Sequence, residues 1–199
     1  MYKVFYNQKP IYLTTSWVEN SEQTPLFFIK FTTAAMIVKA LRSKRVKAVY
    51  LYHSKQGKLE RHFLKRFPRV VAAGGLVEHQ NGSILFIYRN EKWDLPKGKI
   101  EKNEEVLEGA FREVSEETGV TDLTVIKSLP ETFHIYKANG RFKLKKTVWF
   151  LMQTTSERPL VPQIEENIQK AVWVERQNIP SIMENAYENI KILVNAFDS

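Results

Sequence analysis

One stretch of this 199-residue chain constrains it more than any other. Gly98 is followed, after five residues, by Glu104. Seven residues later come Arg112-Glu113-Val114-Ser115-Glu116-Glu117-Thr118-Gly119-Val120, giving the pattern G-x5-E-x7-R-E-V-x-E-E-x-G-V. Val106 to Thr118 is predicted to be a helix. At about 100° per residue, Glu113, Glu116 and Glu117 fall within about 100° of one another on its surface. Like charges at such spacings destabilise a helix by about 0.2–0.5 kcal/mol per pair, and a bound divalent cation removes that penalty. Oxygen-only donors suit a hard ion such as Mg²⁺, with Mn²⁺ as an alternative. Arg112 is placed to tether a carboxylate, and Glu104 is its expected partner across the loop-to-helix turn. Gly119 is expected to end the helix, and the turn Pro96-Lys97-Gly98 to bring backbone close to a phosphate or a metal. An arbitrary Glu-rich helix is a solvated face; the spacing of Gly98, Glu104, Arg112 and Gly119 argues against that reading here.

The pattern resembles the Nudix box of Nudix hydrolases at every defined position. Those enzymes cleave a nucleoside diphosphate linked to another group. The resemblance covers roughly residues 69–197 and implies an α/β/α sandwich with a mixed sheet. It implies a Mg²⁺-dependent pyrophosphohydrolase in which water attacks phosphorus. Carried over by position, the metal ligands are Glu113, Glu116, Glu117 and the carbonyl of Gly98. The catalytic set is Arg112, Glu113, Glu116, Glu117 and a glutamate of the Pro-flanked loop before Trp173, taken as Glu166 rather than its neighbour Glu165. Trp93 to Lys99 resembles the approach to the box in diadenosine polyphosphate and diphosphoinositol polyphosphate hydrolases. Lys97 and Lys99 are therefore expected to meet phosphate oxygens. Tyr136 stands sixteen residues beyond Val120, where diadenosine polyphosphate hydrolases carry a marker tyrosine. It is read either as a base or phosphate contact or as core. His134 and Lys145-Lys146 would alternate with Tyr136 around a groove if their strands pair.

Composition bounds the remaining readings. The chain has no cysteine, which removes disulfides and thiolate metal centres. No apolar run reaches the length of about 20 residues that a membrane-spanning helix needs. No signal-peptide core follows Lys3 and Lys9, so a cytoplasmic protein without a membrane partner is expected. Charge is unevenly placed. Residues 1–68 hold 13 Lys and Arg against 3 Glu, whereas 69–199 hold 17 against 19 acidic residues. The asymmetry predicts two domains: a small basic α+β domain over 1–68 and a Nudix-like α/β domain over 69–199.

In the first part, Tyr2 to Tyr6, Pro10 to Thr14 and Val46 to Tyr52 read as strands. Thr33 to Ser43 reads as a helix capped by Thr32 or Thr33, and Ser54 is expected to cap a second helix ending before Pro68. Arg42, Lys44, Arg45, Lys47, Arg61, Lys65 and Arg66 suggest contact with nucleic acid or a polyphosphate, against the simpler reading of a solvated basic surface. No RNA-binding aromatic signature accompanies them along the sequence. In the second part, strands are expected at Arg69 to Val77, Ser83 to Arg89, Ile126 to Leu129, Glu131 to Lys137, Lys143 to Gln153 and Ala171 to Glu175. Turns are expected at Gln80-Asn81-Gly82 and Asn139-Gly140, and a closing helix over Ile182 to Phe197. The leading function is hydrolysis of dinucleoside polyphosphates or related nucleotides. An RNA-end pyrophosphohydrolase and a Nudix-fold nucleic-acid-binding regulator are the alternatives. The expected partners are a small nucleotide or polyphosphate, nucleic acid in the alternative readings, and a second copy in a homodimer.

Overall fold

Burial with a period of two builds the strands and burial near 3.6 builds the helices. The computed structural model describes residues 3–197, so Tyr2 of the first expected strand lies outside the described residues. In chain order the elements are β1 (Lys3–Tyr6), β2 (Lys9–Thr14), β3 (Leu26–Phe28), α1 (Ala34–Arg42), β4 (Val49–Tyr52) and α2 (Gln56–Arg66). There follow β5 (Arg69–His79), β6 (Ile84–Arg89), β7 (Lys92–Asp94), β8 (Lys97–Lys99), α3 (Val106–Thr118), β9 (Thr124–Ala138) and β10 (Arg141–Thr154). The chain closes with β11 (Ile168–Val174), α4 (Ile179–Met183) and α5 (Glu188–Phe197). Two compact units result. The first comprises 1–70 with 133–146, and the second 71–132 with 147–199. The division expected after residue 68 follows chain order; by contacts the first unit also takes the tips of β9 and β10, whose Ile135 and Leu144 enter its core.

In the first unit the strand order is β10-β9-β1-β2-β4-β3. A turn with Asn7 at φ 54° returns β1 antiparallel onto β2, while β4 runs parallel to β2 and to β3. Val4, Ile11, Leu13, Val49 and Leu51 all point to one face, where they meet Ile37, Val38 and Leu41 of α1 and Leu59 and Phe63 of α2. Each large apolar side chain so buried contributes about 1.5–3 kcal/mol. Thr33 caps α1, its hydroxyl accepting from the Met36 N–H at 3.2 Å. Ser54 does not cap α2. That helix starts at Gln56, and the His53 ring instead accepts from the Lys55 N–H at 3.0 Å. The three-residue β3 is too short for its alternation to show in the sequence.

In the second unit the order is β11-β6-β5-β10-β9, with β7 on β6 and β8 on β5. One sheet face packs Ala73, Val77, Leu85 and Met152 against Ala110 and Val114 of α3. The other packs Leu76, Phe86, Trp149 and Leu151 against Ile190, Leu193 and Val194 of α5. This is the expected α/β/α sandwich. Two expectations are corrected. The strands placed on either side of Pro130 form one strand, β9, because Pro130 sits on the outermost strand of this unit, where a missing N–H is tolerated. The single closing helix is two helices, α4 and α5. Between them Asn185 is drawn onto β7: its carbonyl accepts from the Trp93 N–H at 3.1 Å and its amide donates to the Glu91 carbonyl at 2.8 Å. Among the described residues no helix is long and apolar enough to cross a membrane.

Candidate active site

Helix α3 is held by its apolar side, so its other side can carry charge. Ala110 and Val114 are buried in the sandwich, and Gly119 closes the helix at φ 77°, a conformation that favours glycine. This leaves Arg112, Glu113, Glu116 and Glu117 along the side that faces the turn into β8. There Gly98 is indispensable for closeness. A Cβ built on it would run into the carboxylate of Glu113, so the Gly98 peptide and that carboxylate lie in direct contact.

Arg112 is the hub of the acidic stripe. Its Nε donates to Glu104 Oε1 at 2.7 Å and its Nη2 to Glu104 Oε2 at 3.0 Å, a bidentate pair. Its Nη1 donates to Glu113 Oε1 and to Glu116 Oε2, each at 2.9 Å, and its Nη2 to the Lys99 carbonyl at 3.1 Å. The hydrogen bonds from Arg112 hold the Glu104 carboxyl down at about 2, with the Glu101 N–H assisting. Glu104 in turn is the main cause of the upward shift of the Arg112 guanidinium. The expected Arg112–Glu104 tie across the loop is thus present.

Glu117 is fully buried, and burial pushes its carboxyl up to about 7, against the opposing pull of Lys97 and Arg89. It accepts from the Lys97 N–H at 2.8 Å and from Arg89 Nη1 at 3.2 Å. Burial also raises Glu113, an effect that Arg112 offsets in part. Arg89 Nη2 lies 3.8 Å from Glu166 Oε2, so one guanidinium ties the loop before β11 to the box helix. Glu166 keeps half of its side chain in solvent. Sequence reading missed Arg89 and Asp94. Arg89 closes β6 with nothing around it to mark a partner 28 residues away. Asp94 precedes the turn, and its carboxylate accepts from Lys97 Nζ at 2.7 Å.

The structure therefore brings Gly98, Glu113, Glu116, Glu117, Arg112 and Glu166 into one network and treats the expected phosphate contacts differently. Lys97, expected to meet phosphate oxygens, is buried with its ammonium donating to Asp94, whereas Lys99 is exposed. Glu165 is exposed. Tyr136 belongs to the first unit, where Lys145 Nζ lies 5.3 Å from its ring centroid and burial raises its phenol. Among the described residues no three acidic or histidine side chains are gathered in a metal-holding arrangement, because the glutamates are turned to Arg112 and Arg89. The donor chemistry nevertheless fits a hard divalent ion. The candidate donors are all oxygen, the Gly98 backbone touches one of them, and burial holds the carboxyls of Glu113 and Glu117 above their ordinary values despite the facing Arg112, Arg89 and Lys97.

Comparison with known proteins agrees with this architecture. Residues 68–194 match the family described as NUDIX domain. An RNA pyrophosphohydrolase of Bartonella henselae is 29% identical over 123 residues, covering 53% of this chain and 70% of that protein. Across that protein and further Bartonella relatives of the same description, the match spans 61–70% of their own length. In fold, the chain is similar to a MutT protein from Methanosarcina mazei Go1, with a TM-score of 0.52 and 24% identity, over 66% of this chain and 94% of that one. It is also similar to a C. elegans Ap4A hydrolase in a binary complex, with a TM-score of 0.50 and 23% identity, over 65% of this chain and 95% of that one.

Proposed function

The chain belongs to the Nudix family of hydrolases, and from that premise we propose that it is a Mg²⁺-dependent pyrophosphohydrolase cleaving a nucleoside diphosphate linked to another group, with Mn²⁺ able to substitute. The observation that carries this reading is the buried carboxylate pair Glu113 and Glu117 at the Gly98 turn, balanced by two shared guanidiniums. Glu113, Glu116, Glu117 and the Gly98 carbonyl would hold the ion. When bound, a divalent cation polarises phosphoryl oxygens and lowers the pKa of water.

The chain's own residues do the rest. Arg112 positions Glu113 and Glu116 and is itself fixed by Glu104. Arg89 positions Glu117 and the loop bearing Glu166. Glu166, half in solvent, accepts the proton of the attacking water as its oxygen bonds to phosphorus. The anhydride P–O bond then breaks, and the electron pair leaves on the departing phosphate. Exposed Lys99 meets the phosphate oxygens.

Two classes of linked group suit the chain. The Trp93 to Lys99 segment supports dinucleoside polyphosphates and related nucleotides. The relatives described as RNA pyrophosphohydrolase support a 5′-phosphorylated RNA end. A panel of dinucleoside polyphosphates, oxidised nucleoside triphosphates, diphosphoinositol polyphosphates and 5′-triphosphorylated RNA, assayed with Mg²⁺ and with products identified, separates them. Failure to cleave any of these would reject the hydrolytic reading.

A further inference from the structure

The sheet of the first unit buries only one of its faces against helices. Both α1 and α2 pack on the side formed by Val4, Ile11, Val49 and Leu51. By strand alternation the opposite side carries Lys3, Tyr12, Tyr50, Tyr52 and Phe28, in register across four neighbouring strands. These aromatic side chains touch one another. Tyr12 and Tyr50 stack with centroids 5.0 Å apart. Phe28 meets Tyr52 edge-on at 5.6 Å, and Trp17 lies 5.9 Å from each of them. Trp17 is 64% exposed and Phe28 47% exposed, an unusual outlay of large rings on a soluble surface.

Positive charge accompanies the rings. Lys3 stands beside Tyr12 in register, its Nζ 5.1 Å from the centroid of the buried Phe5 ring, and on β9 and β10 Lys145 Nζ sits over Tyr136, a ring outside this cluster. Residues 1–70 and 133–146 together hold 19 Lys and Arg against 3 Glu, a net +16, whereas the rest of the chain holds 11 against 19 acidic residues. A polyanion with flat, apolar faces is complementary to both properties at once. Bases stack on exposed aromatic rings in a sequence-tolerant way, and only unpaired bases offer their faces. A second copy of this strongly basic unit would instead be repelled.

We infer that this open sheet face binds single-stranded nucleic acid, with bases stacked on Trp17, Phe28 and Tyr52 and phosphates drawn by the lysines. This goes beyond the hydrolytic reading and holds whichever nucleotide the second unit cleaves.

The test uses the full chain and a fluorescent single-stranded RNA of about 12 nucleotides bearing a 5′ hydroxyl, in chelator, so that no turnover enters. The wild type should bind with an affinity that falls as salt rises, and a duplex of equal length should compete at least about tenfold more weakly. Trp17→Ala with Phe28→Ala should weaken binding by about tenfold or more, whereas Trp17→Phe should stay within about threefold. Photocrosslinking of 5-bromouridine RNA to the unaltered protein should map to Trp17, Phe28 or Tyr52, which requires no variant to fold. Absence of binding at low salt, equal binding of duplex, or crosslinks confined to other segments would overturn the inference. So would a wild-type dimer that the double substitution disperses, since the face would then belong to a second copy. Because catalysis is absent from the assay, a protein that binds RNA but cleaves no nucleotide would refute only the hydrolytic reading.

Discussion

The two units handle charge in opposite ways. The second unit buries Glu113, Glu117, Asp94 and Lys97 and pairs its key charges: Glu117 with Arg89, Asp94 with Lys97, and Glu104, Glu113 and the exposed Glu116 with Arg112. The first unit leaves most of its charge in water. Buried charge is expensive unless its geometry is over-determined, so it is retained where positions must be exact to fractions of an ångström. Exposed charge is cheap and acts at a distance, so it suits capture. The contrast implies that substitutions in the second unit should change turnover and stability, and substitutions in the first should change encounter.

The largest expected effect tests the buried half of that contrast. Glu117→Gln should lower kcat by about a thousandfold or more while the protein stays folded, and chelation of divalent ions should abolish turnover of the wild type. Steady-state kinetics with added Mg²⁺ is the measurement; near-normal turnover in the variant would remove Glu117 from the site.

The same residue sharpens the comparison through stability. Its folded carboxyl titrates at about 7 and its unfolded one at 4.5. A raised value favours the protonated folded form, so this group's contribution is complete below about 4.5 and is lost as pH rises through 7. Metal-free Glu117→Gln should therefore be more stable than the wild type at pH 8 by about 2–4 kcal/mol, with the gap closing towards pH 4.5. Urea unfolding in chelator at several pH values measures it; a gap that widens on acidification would contradict the burial argument.

Arg112→Lys comes next. A lysine cannot serve Glu104, Glu113, Glu116 and the Lys99 carbonyl with one rigid fork, so kcat should fall by about 10- to 100-fold with little change in KM. If KM alone rose, Arg112 would be a substrate contact rather than a positioning residue. The smallest effect belongs to the exposed half. Neutralising Arg42, Lys44, Arg45 and Lys47 together should reduce kcat/KM on polyanionic substrates by about two- to tenfold at low salt, spare kcat, and lose its effect near molar salt. A loss that persists at high salt would break the assignment of this unit to encounter.

What was legible in the sequence follows the same division. The box could be read because its geometry is local: Val106 to Thr118, the Gly119 stop and the Arg112–Glu104 tie all lie within one turn and one helix. Arg89 could not, because its partners Glu117 and Glu166 reach it only when β6, α3 and the loop before β11 meet. The burial of Lys97 was hidden by the same fact, since its neighbour Asp94 looked like any turn residue. No aromatic signature was visible in the first 68 residues, because Tyr12, Trp17, Phe28, Tyr50 and Tyr52 come from separate segments and meet only through parallel pairing of β2, β4 and β3. The continuous closing helix was wrong because apolar periodicity persists across Asn185, whose bonds to Glu91 and Trp93 are long-range.

The strands β9 and β10 have a consequence for how this molecule can be taken apart. Residues 133–146 fold with the amino-terminal unit yet are encoded in the middle of the catalytic one. Cutting the gene after codon 68 would not yield a smaller working enzyme: it would leave Ile135 and Leu144, both buried in the wild-type protein, without Val4, Ile11 and Leu51 to cover them. Exchange of amino-terminal modules between relatives would have to carry the 133–146 hairpin along.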